Sequence, residues 1–108
     1  MQQVKPHKEM LVYAGTKAAQ ASWMRNLATQ VAGDGVTVNN VAPGFIETPR
    51  NAETLAEPGM RESVNAMVPV RRLGAADDCA GTVLLLCSDA GSYINGADIA
   101  IDGGLGVT

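Results

Sequence analysis

The amino-acid sequence predicts an α/β fold, in which helices alternate with the strands of a parallel sheet. Helical patterns at residues 13–32 and 75–87 alternate with β-rich segments at 36–42 and 97–101. Strands joined by a helical crossover are normally parallel, and parallel strands are normally covered by helices on both faces. Since a sheet of two strands is marginal in water, we expect the 108 residues to be part of a larger doubly wound sheet.

The first helix is predicted over residues 13–32, because small and apolar residues recur there at steps of three and four. Alanines in this stripe would allow a neighbouring element to approach closely. Gly33-Asp34-Gly35 then ends the helix, since glycine readily takes the left-handed cap conformation. The stripe consists of Ala14, Ala18, Ala21, Met24, Leu27, Ala28 and Val31.

A strand is predicted over 36–42, because this short segment is rich in β-branched residues and lies between Gly35 and Pro43. Residues 45–70 are expected to form a loop, interrupted by prolines, with room for one short helix at 59–67. A connection of this length is often functional, and it can form a lid over a site.

The second clear helix is predicted from Ala75 to Cys87, with Asp77 and Asp78 suiting the positive end of its dipole. A second strand at 97–101 is closed by Asp102-Gly103-Gly104, which predicts a turn. The length allows one domain, over residues 1–108.

The composition is that of an ordinary soluble protein, with 46% hydrophobic and 18% charged residues and a net charge of −3. No segment approaches the roughly 20 apolar residues of a membrane span, and the N-terminus lacks the apolar run of a signal peptide. Lys and Arg residues are scattered singly apart from the doublet Arg71-Arg72, which we expect to be a solvated loop pair, and they do not suggest a nucleic-acid partner.

The two cysteines, Cys79 and Cys87, lie eight residues apart in one predicted helix, too far apart for a disulfide. We expect free, buried, reduced thiols and a cytoplasmic protein. No Cys/His spacing suggests a metal site.

Tyr13 and Lys17 are the candidate catalytic residues, because a spacing of four places both side chains on one helix face. A phenol has a reference pKa of about 10, and a neighbouring ammonium favours its ionised form. Such a pair suits general acid–base catalysis. The spacing alone also occurs in purely structural helices.

The order of the motifs resembles the C-terminal half of the short-chain dehydrogenase/reductase family, over nearly the whole chain. Gly15 stands where the family usually has Ser or Ala. The matching motifs are Tyr13-Ala14-Gly15-Thr16-Lys17, Val36-Thr37-Val38-Asn39, Pro43-Gly44-Phe45-Ile46-Glu47-Thr48, Arg72-Leu73-Gly74-Ala75-Ala76-Asp77-Asp78, Tyr93-Ile94-Asn95-Gly96 and Ile101-Asp102-Gly103-Gly104.

This resemblance implies a Rossmann-like fold and an oxidoreductase that transfers hydride between NAD or NADP and an alcohol or carbonyl substrate. Tyr13 would protonate the carbonyl oxygen, and Lys17 would assist it and bind the nicotinamide ribose. The backbone around Pro43, Gly44 and Ile46, with the hydroxyl of Thr48, would hold the nicotinamide carboxamide.

The family's glycine-rich pyrophosphate turn, its first strands and its catalytic serine have no counterpart in these 108 residues. We therefore expect a truncated chain that is inactive alone and forms a homo-oligomer or assembles with a full-length relative. The alternative is an inactive remnant that acts only as an oligomerisation or interaction module.

Overall fold

The computed structural model describes residues 10–108, in which four α-helices and two strands follow one another. The α/β order agrees with the fold class that the sequence predicts. Short 3-10 turns at Ala32–Asp34, Pro49–Asn51, Asp89–Gly91 and Leu105–Val107 join these elements. The elements are α1 (Leu11–Val31), β1 (Asn40–Pro43), α2 (Ala52–Ala56), α3 (Met60–Met67), α4 (Ala76–Leu86) and β2 (Asp98–Ile101).

The two strands are neighbours in one sheet. The backbone N–H of Asn40 donates to Ala97 O at 2.8 Å, and that of Gly44 donates to Ile101 O at 3.0 Å. Both partners advance by four residues in the same direction, which is the register of a parallel pair. Gly35, with φ of 76°, follows α1 and its 3-10 turn in the left-handed conformation expected there.

The predicted strand at 36–42 is wrong at its start, because β1 begins only at Asn40. Before Asn40, hydrogen bonds from asparagine side chains replace the backbone hydrogen bonds that would join two strands. The N–H of Val38 donates to Asn95 Oδ1 at 3.0 Å, and Asn39 Nδ2 donates to Ile94 O at 2.8 Å. Asn39 Oδ1 also accepts from the N–H of Ala97 at 2.9 Å. These amides satisfy backbone groups ahead of the point where β2 begins.

The expected loop at 45–70 contains two α-helices, α2 and α3, where we predicted only one. The missed helix follows a 3-10 turn that Thr48 and Pro49 begin. Proline at the first helical position and an N-cap threonine are typical start signals. The α3 helix begins after Gly59, whose φ is 79°.

The described part of the chain forms two compact units. The first unit combines the residues up to Val41 with Leu85–Ile99. Its core consists of Ala21, Met24 and Ala28, all on α1. Leu27 of the predicted apolar stripe is instead 47% exposed. An open apolar groove of about 510 Å³ runs between α1 and residues 38–40, and Trp23, which is 72% exposed, lines it.

The second unit comprises Ala42–Leu84 and Ala100–Thr108. Four buried side chains form its core, and they come from α2, from the segment after α3 and from the last 3-10 turn. Asp102 organises the chain beyond β2, because its carboxylate accepts from the N–H groups of Gly104 at 2.9 Å and Gly106 at 2.7 Å. The turn predicted at 102–104 is therefore present. The four core residues are Leu55, Val68, Leu73 and Leu105.

Both cysteines are free, as predicted, but neither is buried. Cys79 is half-buried on α4. Cys87 is exposed and lies just beyond α4, which ends at Leu86, one residue earlier than expected. Within residues 10–108, no helix combines the length and the apolar character that crossing a membrane requires.

Candidate functional site

Tyr13 and Lys17 lie together on α1, as their spacing predicts. The Lys17 Nζ atom is 5.5 Å from the centroid of the Tyr13 ring, within the range of a cation–π contact. Tyr13 is 48% exposed, so solvent or another molecule can reach its phenol. The helix thus presents an ammonium beside an accessible phenol.

The neighbouring polar side chains on α1 do not bond to the Tyr13 phenol and leave the pair accessible. The Thr16 hydroxyl donates within the helix, to Val12 O or Tyr13 O at 2.8 and 2.9 Å. Lys17 Nζ donates to Gln20 Oε1 at 3.5 Å. Because an ammonium carries three N–H donors, Lys17 can also bind a further partner.

Gly44, at the end of β1, has a structural role that the sequence did not reveal. A Cβ atom there would lie 2.7 Å from Asp102 Cβ and 2.8 Å from Asp102 Cα. Those distances are far inside van der Waals contact, so the close approach of the chain after β2 requires glycine at this position.

Ile46 is fixed by a short parallel bridge to Gly74. The N–H of Glu47 donates to Gly74 O, and the N–H of Gly74 donates to Phe45 O, both at 2.8 Å. A Cβ atom on Gly74 would lie 2.5 Å from Ile46 Cδ1. The backbone of Ile46 is therefore held on one side by this bridge, while Thr48, two residues on, is exposed.

Side chains of the following segment hold the same loop, and sequence reasoning missed them. Asn51 Oδ1 accepts from the N–H of Thr48, and Asn51 Nδ2 donates to Ile46 O, both at 2.9 Å. Arg61 on α3 forms a two-pronged ion pair with Glu47, at 2.5 and 3.0 Å. The hydrogen bonds from Arg61 hold the pKa of the Glu47 carboxyl below its ordinary value. The spacing Thr48-x-x-Asn51 was the available signal for the first contact.

A second ion pair, between Arg72 and Asp78, stands at the start of α4. The guanidinium donates to both carboxylate oxygens, at 2.7 and 2.9 Å, and the N–H of Ala75 adds a third bond at 2.7 Å. These bonds, chiefly those from Arg72, place the pKa of Asp78 far below its ordinary value. Both residues line a cavity of about 320 Å³ that Ile46 and Gly103 also border.

The candidate residues fall in both compact units. Tyr13 and Lys17 belong to the first unit, and the loop with Pro43, Gly44, Ile46 and Thr48 belongs to the second. Among residues 10–108, no cluster of His, Cys, Asp and Glu side chains could hold a metal ion.

The chain is similar in sequence to known reductases. The model of the enoyl-(acyl carrier protein) reductase family matches residues 1–106. A tropinone reductase homolog from Arabidopsis thaliana is 40% identical over 93 residues, which cover 86% of this chain and 35% of that protein. The chain thus spans about a third of this relative's length.

Solved structures of a reductase and of a dehydrogenase also match this chain. YwfH, an NADPH-dependent reductase involved in bacilysin biosynthesis, is 29% identical with a TM-score of 0.87, and the match covers 97% of this chain and 43% of YwfH. A short-chain dehydrogenase/reductase of the glucose/ribitol dehydrogenase type from Brucella melitensis is 33% identical with a TM-score of 0.79, covering 93% and 40%. From its motifs, its fold and these matches, the chain belongs to the short-chain dehydrogenase/reductase family, and it corresponds to the C-terminal part of that fold.

Proposed function

We propose that this chain carries the proton-transfer pair and the nicotinamide loop of an oxidoreductase acting on an alcohol or carbonyl with NAD or NADP. One observation carries the proposal: the Lys17 ammonium lies 5.5 Å from the Tyr13 ring, on an accessible helix face, in a chain of this family. A phenol beside a positive charge can serve as a general acid toward a carbonyl oxygen.

In the reducing direction, Tyr13 donates its hydroxyl proton to the substrate oxygen on which negative charge develops. Lys17 stabilises the phenolate that remains, since its positive charge is close and fixed by the helix. In the oxidising direction the proton moves from the alcohol to Tyr13. The remaining Lys17 donors would bind the hydroxyls of a ribose.

NAD(P)H, when bound, supplies the hydride. The loop residues suit its carboxamide by their chemistry: Ile46 offers backbone groups held in place by the bridge to Gly74, and Thr48 offers an exposed hydroxyl. Pro43 and Gly44 would complete the backbone of this site. YwfH, which is named as an NADPH-dependent reductase, supports the choice of cofactor class.

Complementation tests this proposal. We expect the 108-residue chain alone to give little turnover with NADH or NADPH, because no glycine-rich turn binds the pyrophosphate. The chain would be refolded with the separately produced N-terminal part of a solved relative, which supplies that turn. Carbonyl reduction by the mixture, measured from NADPH absorbance, is the readout.

Two substitutions then separate the roles in that mixture. Tyr13→Phe should lower kcat by about 10²–10⁴-fold, the usual contribution of a general acid. Lys17→Ala should lower kcat and also weaken cofactor binding. Tyr93→Phe, at a fully exposed tyrosine, is the matched control and should change neither. Unchanged kinetics for both Tyr13→Phe and Lys17→Ala would refute the assignment.

The second candidate function is an interaction module without catalysis, and the exposed apolar side chains favour it. Leu11 and Val12 at the start of α1 are about four-fifths exposed, at 81% and 80%. If this is the only function, Tyr13→Phe should have no effect on any activity, whereas Leu11→Glu should weaken self-association or binding to a relative. The NADPH assay on Tyr13→Phe and analytical ultracentrifugation of Leu11→Glu measure these two outcomes.

A further inference from the structure

The side chain of Asn51 joins two residues of the proposed nicotinamide loop. Its Oδ1 atom accepts from the N–H of Thr48, and its Nδ2 atom donates to Ile46 O, both at 2.9 Å. An amide side chain accepts through its oxygen and donates through its nitrogen, so these two backbone partners also fix which way the Asn51 amide points. Asn51 therefore closes a small ring with the backbone of residues 46–48.

Helix capping explains only half of this arrangement. The bond from Thr48 N–H to the third residue of the helical turn is one half of a capping box. The bond to Ile46 O reaches two residues further back, beyond the N-cap, and a cap does not require it. Arg61 adds a third attachment, because it binds the intervening Glu47. The three consecutive residues 46–48 are thus each held by a side chain of the segment that follows.

These contacts determine which polar groups of the loop stay available. Asn51 occupies the carbonyl of Ile46 and the N–H of Thr48. No acceptor among residues 10–108 is bound to the N–H of Ile46. This leaves the N–H of Ile46 as a donor to the oxygen of a primary carboxamide. The Thr48 hydroxyl takes part in the capping box with the Asn51 backbone, and its second lone pair can accept from the carboxamide nitrogen.

We propose that Asn51 is a positioning residue for the cofactor site: it sets the orientation of the Ile46 and Thr48 backbone, so that their remaining polar groups face a carboxamide. This proposal rests on the proposed function, since the carboxamide is that of nicotinamide. Asn51 acts through Ile46 and Thr48 and need not touch the ligand itself.

Residue-resolved amide exchange tests the bracing without any ligand. Asn51→Ala should accelerate exchange at Thr48 by 10-fold or more, because its N–H loses its acceptor. Asn65→Ala is the matched control, since Asn65 Oδ1 accepts from the N–H of Leu73 at 3.0 Å in the same segment. This control should accelerate exchange at Leu73 and leave Thr48 unchanged. An unchanged Thr48 in Asn51→Ala would overturn the proposal.

Titration with nicotinamide mononucleotide, which carries the carboxamide but no pyrophosphate bridge, tests the link to the cofactor. With the wild-type chain refolded with the N-terminal part of a relative, the amide signals of Ile46 and Thr48 should shift, and Asn51→Ala in the same mixture should weaken that response at least 10-fold. Asn51→Asp keeps an acceptor for Thr48 but cannot donate to Ile46 O when ionised. It should therefore weaken the response while Thr48 stays protected from exchange.

The two proposals fail in different ways. Equal ligand responses in the wild type, Asn51→Ala and Asn51→Asp would overturn the role of Asn51 and leave the proposed function intact. If Asn51→Ala accelerates exchange at Thr48 but the wild type gives no response to the mononucleotide, Asn51 still positions the loop. In that case the assignment of the loop to nicotinamide is what fails.

Discussion

Arg71 adopts a left-handed backbone conformation, which is unfavourable for residues other than glycine. Within residues 10–108 it is the only non-glycine residue with a positive φ, at 61°. Its side chain donates to Ala66 O, in the last turn of α3, at 2.9 Å, and its N–H closes a turn with Val68 O at 2.8 Å. The left-handed conformation costs an L-residue about 1–2 kcal/mol. The side-chain bond to α3 offsets part of that cost.

We therefore expect Arg71→Gly to be more stable than Arg71→Ala by about 1 kcal/mol. Both variants lose the bond to Ala66, but only glycine relieves the strain at φ of 61°. Urea denaturation followed by circular dichroism measures the difference. The opposite order would show that the left-handed turn is not retained in solution.

The residues of the candidate site differ in how far the sequence could predict them. The contact of Tyr13 with Lys17 follows from helix geometry alone, because residues four apart are neighbours. The constraint on Gly44 could not be predicted, since Asp102 is distant in the sequence and meets it only through the sheet. Asn51 is an intermediate case. Its hydrogen bond with the N–H of Thr48 is a local helix cap, which the sequence can suggest. Its hydrogen bond to Ile46 O depends on the conformation of the loop, which the sequence does not reveal.

At the scale of the element, α1 contains a glycine that packing does not require. A Cβ atom at Gly15 would meet nothing within 4 Å among the described residues. Gly15→Ala should stabilise the chain by about 0.5–1 kcal/mol, the usual difference within a helix.

Thermal denaturation measures this gain, and Gly44→Ala is the contrasting control. The Cβ atom of Gly44→Ala would lie 2.8 Å from the backbone Cα of Asp102, which cannot move aside, and should destabilise the fold. A loss of stability in Gly15→Ala would indicate that this face of α1 is covered in solution.

The start of α4 is expected to give the chain an acid-sensitive contact. The pKa of Asp78 is lowered by its bonds to Arg72 and Ala75, so the ionised form is favoured in the folded state. A group with a lowered folded pKa stabilises the fold above its unfolded pKa, about 3.9. This contribution is lost as the pH falls from there through the folded pKa.

Accordingly, Asp78→Asn should lower Tm at pH 7, and its difference from the wild type should shrink as the pH falls below about 4. Asp77→Asn is the matched control in the same turn of α4. It removes a carboxylate that makes no such ion pair within the described residues. A Tm difference for Asp78→Asn that stays constant from pH 7 to pH 3 would contradict this account.

Most helices and strands could be predicted because their patterns are local. The periodicity of α1, the acids that open α4 and the short segment 97–101 before the Asp102-Gly103-Gly104 turn each gave the correct type of element. The start of β1 could not be predicted, because it depends on where β2 supplies a partner and on the amides of Asn39 and Asn95. The α2 helix has five residues, too few for a periodic pattern.

At the scale of the whole molecule, exposed apolar surface and open sheet edges dominate the expected behaviour. Within residues 10–108 each strand has only one neighbour, and Leu84 on α4 is 72% exposed. Edges and apolar faces of this kind favour association. We expect the chain in isolation to form oligomers or to be poorly soluble.

Sedimentation velocity over a range of concentrations measures this association. Leu84→Glu should shift the distribution toward smaller species if the α4 face takes part. The matched control is Glu62→Gln, which changes one charge on α3. A monomer with a sharp, cooperative melting transition would show that these two strands and their helices suffice for a stable fold.

The family could be predicted from sequence, because several short motifs in a characteristic order identify it. That order can be read along the chain without knowledge of any tertiary contact. The division into two compact units could not, because it follows from contacts between residues far apart in the sequence. Val41 and Leu85, for example, belong to the same unit.

Trp23 in the groove beside α1 gives the chain a natural optical probe. It is the single tryptophan of the sequence, so the intrinsic indole fluorescence comes from one known place. At 72% exposure its emission should resemble that of indole in water. Any molecule that covers the groove would move the emission to shorter wavelengths, and acrylamide would then quench it less. Binding to this face can thus be followed in the unlabelled protein, with no substitution and no attached dye.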